Sequence, residues 1–184
     1  MRRPTLFLDR DGVINVDHGY VHTPDKTDFV PGIFELVAQA NRRGWLVVVV
    51  TNQAGIARGY YDERQFHDYM DWVRAQFQRQ GARLDAIYFC PHHPQHGQGR
   101  YLAECDCRKP APGMLLKAMA EHAIDPAASA MVGDTRTDME AGLRAGVGRL
   151  YWLGGPADAE IPQALRVADL EDVAQDLWPS SSTE

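Results

Sequence analysis

Trp45-Leu46-Val47-Val48-Val49-Val50 is an unbroken apolar run that ends in Thr51-Asn52-Gln53. Successive side chains of a strand point to opposite sides, so four consecutive valines require cover on both faces. That is the situation of a parallel sheet packed between two layers of helices. A second apolar run, Leu6-Phe7-Leu8, stops just as abruptly at Asp9-Arg10-Asp11-Gly12. In an open α/β sheet, the C-terminal strand ends are where ligands bind. Two carboxylates so placed repel each other unless a cation stands between them, which points to a hard metal such as Mg²⁺. The plain alternative for that tetrapeptide alone is an Asp-Gly turn.

The rest of the chain alternates in the same manner. Helical spacing is read over residues 33–43 (Ile33, Leu36, Val37, Ala40), ending at Gly44. Asp62 is placed to cap a helix reaching about Gln80, with Phe66, Tyr69, Met70, Val73 and Phe77 on one face. Strands are predicted over 84–89, 130–132 and 148–152, with a short edge strand at Val167. Further helices are predicted over 112–122, 139–145 and 170–177. Residues 15–31 read as a polar loop, 54–59 as a flexible stretch, and 90–110 as an irregular segment long enough to need its own anchor. Together these predict an α/β Rossmann-like three-layer sandwich around a mainly parallel sheet with right-handed crossovers. The 184 residues suffice for one domain, expected over 1–178, with a disordered tail at 179–184. Forty-two positions separate Asp9 from Thr51 and fifty-eight separate Thr51 from Lys109. The elements already placed fill both intervals, leaving no room for a cap domain.

Bulk properties exclude several classes. The net charge of −6 argues against a nucleic-acid partner, and no apolar run approaches membrane-spanning length. The first strand begins almost at Met1 with no secretory signal ahead of it, so a cytoplasmic location is expected. A monomer acting on a small molecule is expected separately, with no sequence feature deciding the oligomeric state. Cys90, Cys105 and Cys107, an odd set, are poor material for a disulfide framework.

Three strand ends deliver polar groups to one rim: Asp9 and Asp11, Thr51 and Asn52, and Asp134 and Asp138. Asp9, Asp11 and Asp134 offer oxygen ligands for a hard cation, and Thr51 and Asn52 offer hydrogen bonds to phosphoryl oxygens. Lys109 supplies a point positive charge. A carboxylate nucleophile beside a metal and a lysine suits phosphoryl transfer. In the long segment, Cys90-x-His92 and Cys105-x-Cys107 are separated by twelve residues. Four such ligands fit a closed, structural zinc site, with His93 and His96 as further candidates.

Asp9-Arg10-Asp11-Gly12, Thr51-Asn52-Gln53, Arg108-Lys109-Pro110 and Gly133-Asp134-(x3)-Asp138 resemble, in order, the four motifs of the haloacid dehalogenase superfamily. That resemblance implies that Asp9 attacks phosphorus to form an aspartyl-phosphate, and that Asp11 serves as general acid and then base. It implies Mg²⁺ held by the Asp9 carboxylate, the Asp11 main-chain carbonyl and Asp134, with Asp138 in support. Two zinc-bearing families are similar in the long segment, the D-glycero-D-manno-heptose-1,7-bisphosphate 7-phosphatases and the histidinol phosphatases. Asp17-His18-Gly19-Tyr20-Val21-His22, Thr51-Asn52-Gln53-(x)-Gly55-Ile56-Ala57-Arg58-Gly59 and Cys90-Pro91-His92-His93-Pro94 carry the likeness to the former, as does the twelve-residue spacer. The implied activity is Mg²⁺-dependent removal of the C7 phosphate of a heptose bisphosphate, in synthesis of nucleotide-activated heptose for lipopolysaccharide core or surface glycans. Structural Zn²⁺ would pin the loop. Candidate substrate contacts are Asp17, His18, Gly19, Tyr20, Asn52, Gln53, Arg58 and Arg108, with Arg108 placed to hold the distal phosphate. The active site is expected to be roofed by residues 17–22, 53–59 and the zinc loop. One departure stands out. The heptose family often has lysine after the fourth-motif aspartate, where this chain has Thr135 and then Arg136. Histidinol-phosphate hydrolysis is the nearest alternative. A non-catalytic, zinc-stabilised binding module is the alternative from another class, disfavoured by retention of Asp9, Asp11, Lys109 and Asp134 together.

Overall fold

A computed structural model describes residues 1–155 and 160–179; most of the expected tail, 180–184, lies outside them. The strands β1 (Thr5–Leu8), β2 (Leu46–Asn52), β3 (Ala86–Cys90), β4 (Ala130–Gly133), β5 (Arg149–Leu153) and β6 (Ala164–Val167) form one sheet in the order β3-β2-β1-β4-β5-β6. Every neighbouring pair is parallel. The helices are α1 (Ile33–Arg42), α2 (Ala54–Ala57), α3 (Glu63–Arg79), α4 (Gly113–His122), α5 (Arg136–Arg144) and α6 (Leu170–Leu177). Alternation along the strands sorts the core into two layers. Leu6, Leu8, Val47 and Val49 pack with α1, α3 and α6 on one side. Phe7, Val48 and Val50 pack with α4 and α5 on the other. The valine run is therefore buried on both faces, as its composition requires.

The chain winds outward from β1 to β3, then returns to the centre at β4 and winds the other way. β1 and β4 are neighbours at that reversal, so a crevice opens beyond their C-terminal ends. Asp9 and Asp134 follow those two strands directly. Among the described residues no segment forms a separate cap, and no helix is long and apolar enough to cross a membrane.

Several boundaries differ from the sequence reading, each for a local reason. Residues 54–57 form a helical turn rather than a flexible stretch, because Gly55, Ile56 and Ala57 are buried and Gly55 lies against the Tyr61 ring. The helix expected from 139 begins at Arg136. Thr135 caps it, accepting from Asp138 N while the Asp138 side chain accepts from Thr135 N, a capping box that draws the motif into the first turn. The third strand starts two residues late and runs through Cys90. The same device at Asp62 and Gln65 starts α3 as expected.

Candidate active site

Asp9 is buried at the end of β1, and two donors converge on its Oδ1: Arg10 N at 2.8 Å and Lys109 Nζ at 2.9 Å. The Lys109 ammonium also donates to Val50 O at 2.8 Å and pairs with Asp138 Oδ1 at 2.6 Å. Its backbone is clamped by one side chain: Lys109 N donates to Asn52 Oδ1 at 3.0 Å, and Asn52 Nδ2 donates to Lys109 O at 3.1 Å. Asn52 thus lines the crevice while holding the lysine in register with β2. Asp138 Oδ2 accepts from Asp134 N, Thr135 N and Thr135 Oγ1, so both Asp138 oxygens serve to hold Lys109 and the turn that carries Asp134.

Asp9, Asp134 and Asp138 bring carboxylate oxygens within 4.8 Å of one another. Burial raises the Asp9 pKa well above the ordinary carboxylate range, and Asp138 adds to this; Lys109 opposes it. Burial, again with Asp138, pushes Asp134 up to about 6. The Lys109 pKa is raised by its two carboxylates despite its burial. One ammonium does not neutralise this crowd. Asp134 Oδ1 is buried without a hydrogen-bond partner, the arrangement a hard cation's oxygen ligand would have. Gly12 makes room for the Asp134 carboxylate: its φ is +87°, and a Cβ there would stand 1.9 Å from Asp134 Oδ2.

Asp11 has a different environment. Arg10 Nη2 donates to both its oxygens, at 2.9 and 3.2 Å, Asn15 Nδ2 to Oδ1 at 3.1 Å, and Gln53 Nε2 to Oδ2 at 3.2 Å. The Tyr61 hydroxyl donates to Gln53 Oε1, which turns the amide NH₂ toward Asp11 and toward Thr51 Oγ1, 2.8 Å away. Burial opposes the Arg10 charge, but adjacent Asp11 outweighs it and raises the guanidinium's pKa.

These groups line a cavity of about 460 Å³ whose walls include Asp17, Gly19, Tyr20, Asn52, Gln53, Tyr61, Arg108, Thr135 and Thr137. Of the expected contacts, three are placed elsewhere. His18 pairs with Asp28 at 2.7 Å, Thr51 is fully buried beneath the cavity floor, and Arg58 is absent from the lining. The roof consequently narrows to Asp17, Gly19, Tyr20, residues 53–55, Tyr61 and the Arg108 end of the long segment. Arg136 also turns away, pairing with Glu140 at 2.8 Å, so the residue after Asp134 that borders the cavity is the uncharged Thr135, whose hydroxyl is engaged by Asp138 and Thr137. Sequence reasoning did not reach Asn15, Tyr61 or Thr137. Asn15 carried a faint signal, since it follows Asp11 in the same tight turn; Tyr61 carried none, because only packing brings it there.

In the long segment, Cys90, His92, Cys105 and Cys107 present ligand atoms within 4.8 Å of one another. Their sulfurs stand 3.5 Å (Cys90–Cys105) and 3.3 Å (Cys105–Cys107) apart, with His92 Nδ1 3.5 Å from Cys107. This is far beyond a disulfide bond and close to the roughly 3.8 Å edge of a tetrahedron with Zn–S bonds of about 2.3 Å. Hydrogen bonds from Cys90 and His92 pull the Cys107 thiol down to about 5. His93 is not part of the group: its Nδ1 accepts from Gln95 N and His96 N. Arg108 Nη1 reaches His92 O at 3.4 Å, so this cluster and the cavity wall share a strut.

Comparison with known proteins agrees with this geometry. The family model of HAD-hydrolase-like proteins matches residues 106–178. The chain is 53% identical over 174 residues to the D-glycero-β-D-manno-heptose-1,7-bisphosphate 7-phosphatase of Vibrio cholerae, covering 94% of each. It is 53% identical over 148 residues to the D-glycero-α-D-manno-heptose-1,7-bisphosphate 7-phosphatase of Burkholderia mallei, covering 80% of this chain and 78% of that one. Among solved structures, the D,D-heptose 1,7-bisphosphate phosphatase of B. bronchiseptica, complexed with magnesium and phosphate, superposes with a TM-score of 0.82. Their identity is 34%, with 94% of this chain and 97% of that one covered. Ordered motifs, sheet topology, carboxylate cluster and full-length likeness converge on one assignment: the chain belongs to the heptose-1,7-bisphosphate 7-phosphatase family of haloacid-dehalogenase-like hydrolases.

Proposed function

We propose that this protein is a phosphatase that removes the C7 phosphate of D-glycero-D-manno-heptose 1,7-bisphosphate, leaving heptose 1-phosphate. The observation that carries the reading is the cluster at the sheet reversal, where Lys109 bridges Asp9 and Asp138 while the buried Asp134 Oδ1 has no partner. Asp9, Asp134 and the Asp11 main-chain carbonyl would hold Mg²⁺, which when bound supplies charge neutralisation for the transferring phosphoryl group. The Asp9 carboxylate attacks phosphorus and the P–O bond to the sugar breaks. Asp11 gives its proton to the departing sugar oxygen. Asp11 then takes a proton from water as that water attacks phosphorus, and the Asp9–phosphorus bond breaks to release phosphate. Lys109 holds Asp9 throughout, and its positive charge offsets the negative charge gathered at the transferring group.

Cys90, His92, Cys105 and Cys107 would hold Zn²⁺ as a closed structural centre, leaving no position for a reacting water. We further read residues 1–178 as one domain acting as a cytoplasmic monomer in nucleotide-activated heptose synthesis, with neither nucleic acid nor membrane as partner. The test is turnover of both anomers of the bisphosphate beside histidinol phosphate, with the phosphoryl group trapped and located. Release from a heptose bisphosphate, with the trapped group on Asp9 and no turnover in Asp9→Asn, is expected. Preference for histidinol phosphate, or a phosphoryl group on another residue, would overturn the reading.

A further inference from the structure

Arg10 stands in sequence between two carboxylates of the cavity, yet its side chain is completely buried and takes no part in the lining. It runs beneath the floor, with its guanidinium carbon 5.1 Å from the Tyr69 ring centroid and 5.9 Å from that of Phe66. Only Nη2 has polar partners: the two Asp11 oxygens and the carbonyl of Val21. Nε and Nη1 are buried with none. Burying a guanidinium with two of its three nitrogens unsatisfied is costly, and an apolar side chain of similar volume would pack against Phe66 and Tyr69 without that cost. The packing therefore does not account for the charge. What the charge touches does: a carboxylate facing the cavity and the backbone of the loop that carries Asp17, Gly19 and Tyr20.

We propose that Arg10 is a positioning residue for the reaction, fixing Asp11 for proton transfer and joining it to the substrate-bordering loop through Val21. Asn15 and Gln53 each reach one Asp11 oxygen from the side. Arg10 alone reaches both, and it does so from below, so it sets the direction in which the carboxyl group faces. Fixed orientation matters twice, because the same carboxyl group must meet the departing sugar oxygen and afterwards the incoming water. The inference rests on the reading of Asp11 as acid and base given above.

The experiment compares two substrates, the heptose bisphosphate and p-nitrophenyl phosphate, in wild type, Arg10→Met, Arg10→Lys and Asp11→Asn. Nitrophenolate leaves without needing a proton, whereas the sugar alkoxide does not. Because kcat/KM reports events only through cleavage of the ester bond, it senses the acid role alone. Arg10→Met should lower the bisphosphate-to-aryl ratio of kcat/KM by roughly 10–100-fold, at or below the low end of the roughly 10²–10⁴-fold that an acid–base group itself contributes, since Arg10 only positions that group. Maximal turnover should fall on both substrates, since release of phosphate from Asp9 still needs the base. Asp11→Asn should shift the ratio in the same direction and further, and Arg10→Lys should recover part of it. Equal kcat/KM losses on both substrates in the Arg10 variants would overturn the inference. So would failure of both Arg10 variants to unfold cooperatively, which would mark the residue as structural. A ratio that shifts in Asp11→Asn but not in Arg10→Met defeats this inference alone; wild type inert on both phosphates defeats the phosphatase reading with it.

Discussion

Individual residues in this site are constrained more by contact distance than by chemical type. Gly12 is the sharpest case. Its positive φ disfavours any side chain, and the Asp134 carboxylate occupies the space a Cβ would need. Gly12→Ala should therefore displace Asp134, and turnover should fall at least 100-fold with Mg²⁺ affinity weakened in parallel, read by titrating activity with the metal. A variant with near-normal metal response would show that the loop can yield. Arg108 faces the opposite demand. Asp9 and its metal engage only the phosphate being cleaved, so a bisphosphate needs a second positive anchor. Arg108 lines the cavity, held by its contact to His92 O, and Arg136 is committed to Glu140. Arg108→Ala should cost about 1.5–3 kcal/mol in kcat/KM on the bisphosphate, the range for a charge-assisted hydrogen bond, and little on a monophosphate. Equal losses would place Arg108 with the reacting phosphate or the fold. Asp9, Asp11 and Asp134 were legible in the sequence because each follows closely on a strand end; Lys109, nineteen residues beyond β3, was legible only through the ordered set of motifs. Tyr61 was not, since its role depends on Gln53 folding back beneath it. His18 stands apart from its neighbours in the lining because adjacent residues in a loop share a sequence but not a direction, and its ring meets Asp28.

At the scale of elements, apolar patterning located the strands and long helices, with β6 reduced to Val167, and side-chain caps fix where α3, α5 and α6 begin. The helix α5 starts three residues early because Thr135 and Asp138 satisfy each other's backbone donors. The hydrophobic pattern is silent on that exchange. The stretch 54–59 looked loose from its glycines, yet Gly55 is small in order to admit the Tyr61 ring rather than to bend. The long segment after β3 has almost no regular structure of its own, only a single 3₁₀ turn at Gly99–Tyr101. Its order comes from the four-residue cluster and from hooks such as Gln98 N to Ala57 O at 2.9 Å. Cys105→Ala should accordingly release about one zinc per chain, measurable by elemental analysis, since four such ligands make one centre. Activity should fall because Arg108 and Lys109 follow directly. Metal-free wild type with full activity would contradict this.

For the molecule as a whole, the carboxylate cluster ties metal binding to acidity. With its pKa raised to about 6, Asp134 holds a proton below that pH which Mg²⁺ must displace; above it the group is ionised and free to bind. In the metal-free fold this raised pKa means that the native state binds more protons than the unfolded chain between about pH 4 and 6. The contribution of Asp134 to stability thus improves as pH falls through that window and is adverse above it. The Mg²⁺-induced rise in Tm should therefore be large at pH 7.5 and shrink as pH falls through about 6; a rise of constant size from pH 8 to 5 would refute the linkage. The segment that delivers Lys109 has a consequence of another kind. It is secured at one end by the converging Cys and His donors and at the other by the paired amide contacts of Asn52. Between the two halves of the cluster, residues 97–103 are hooked back onto the fold while the tip at 94–96 is a surface turn, and doubling a loop's length costs only about 0.6 kcal/mol. Pro94, Gln95 and His96 are solvent-exposed and outside the cavity lining. A peptide tag or a whole guest protein spliced there would ride as cargo on a bracket fastened on both sides, leaving the aim of the lysine unchanged.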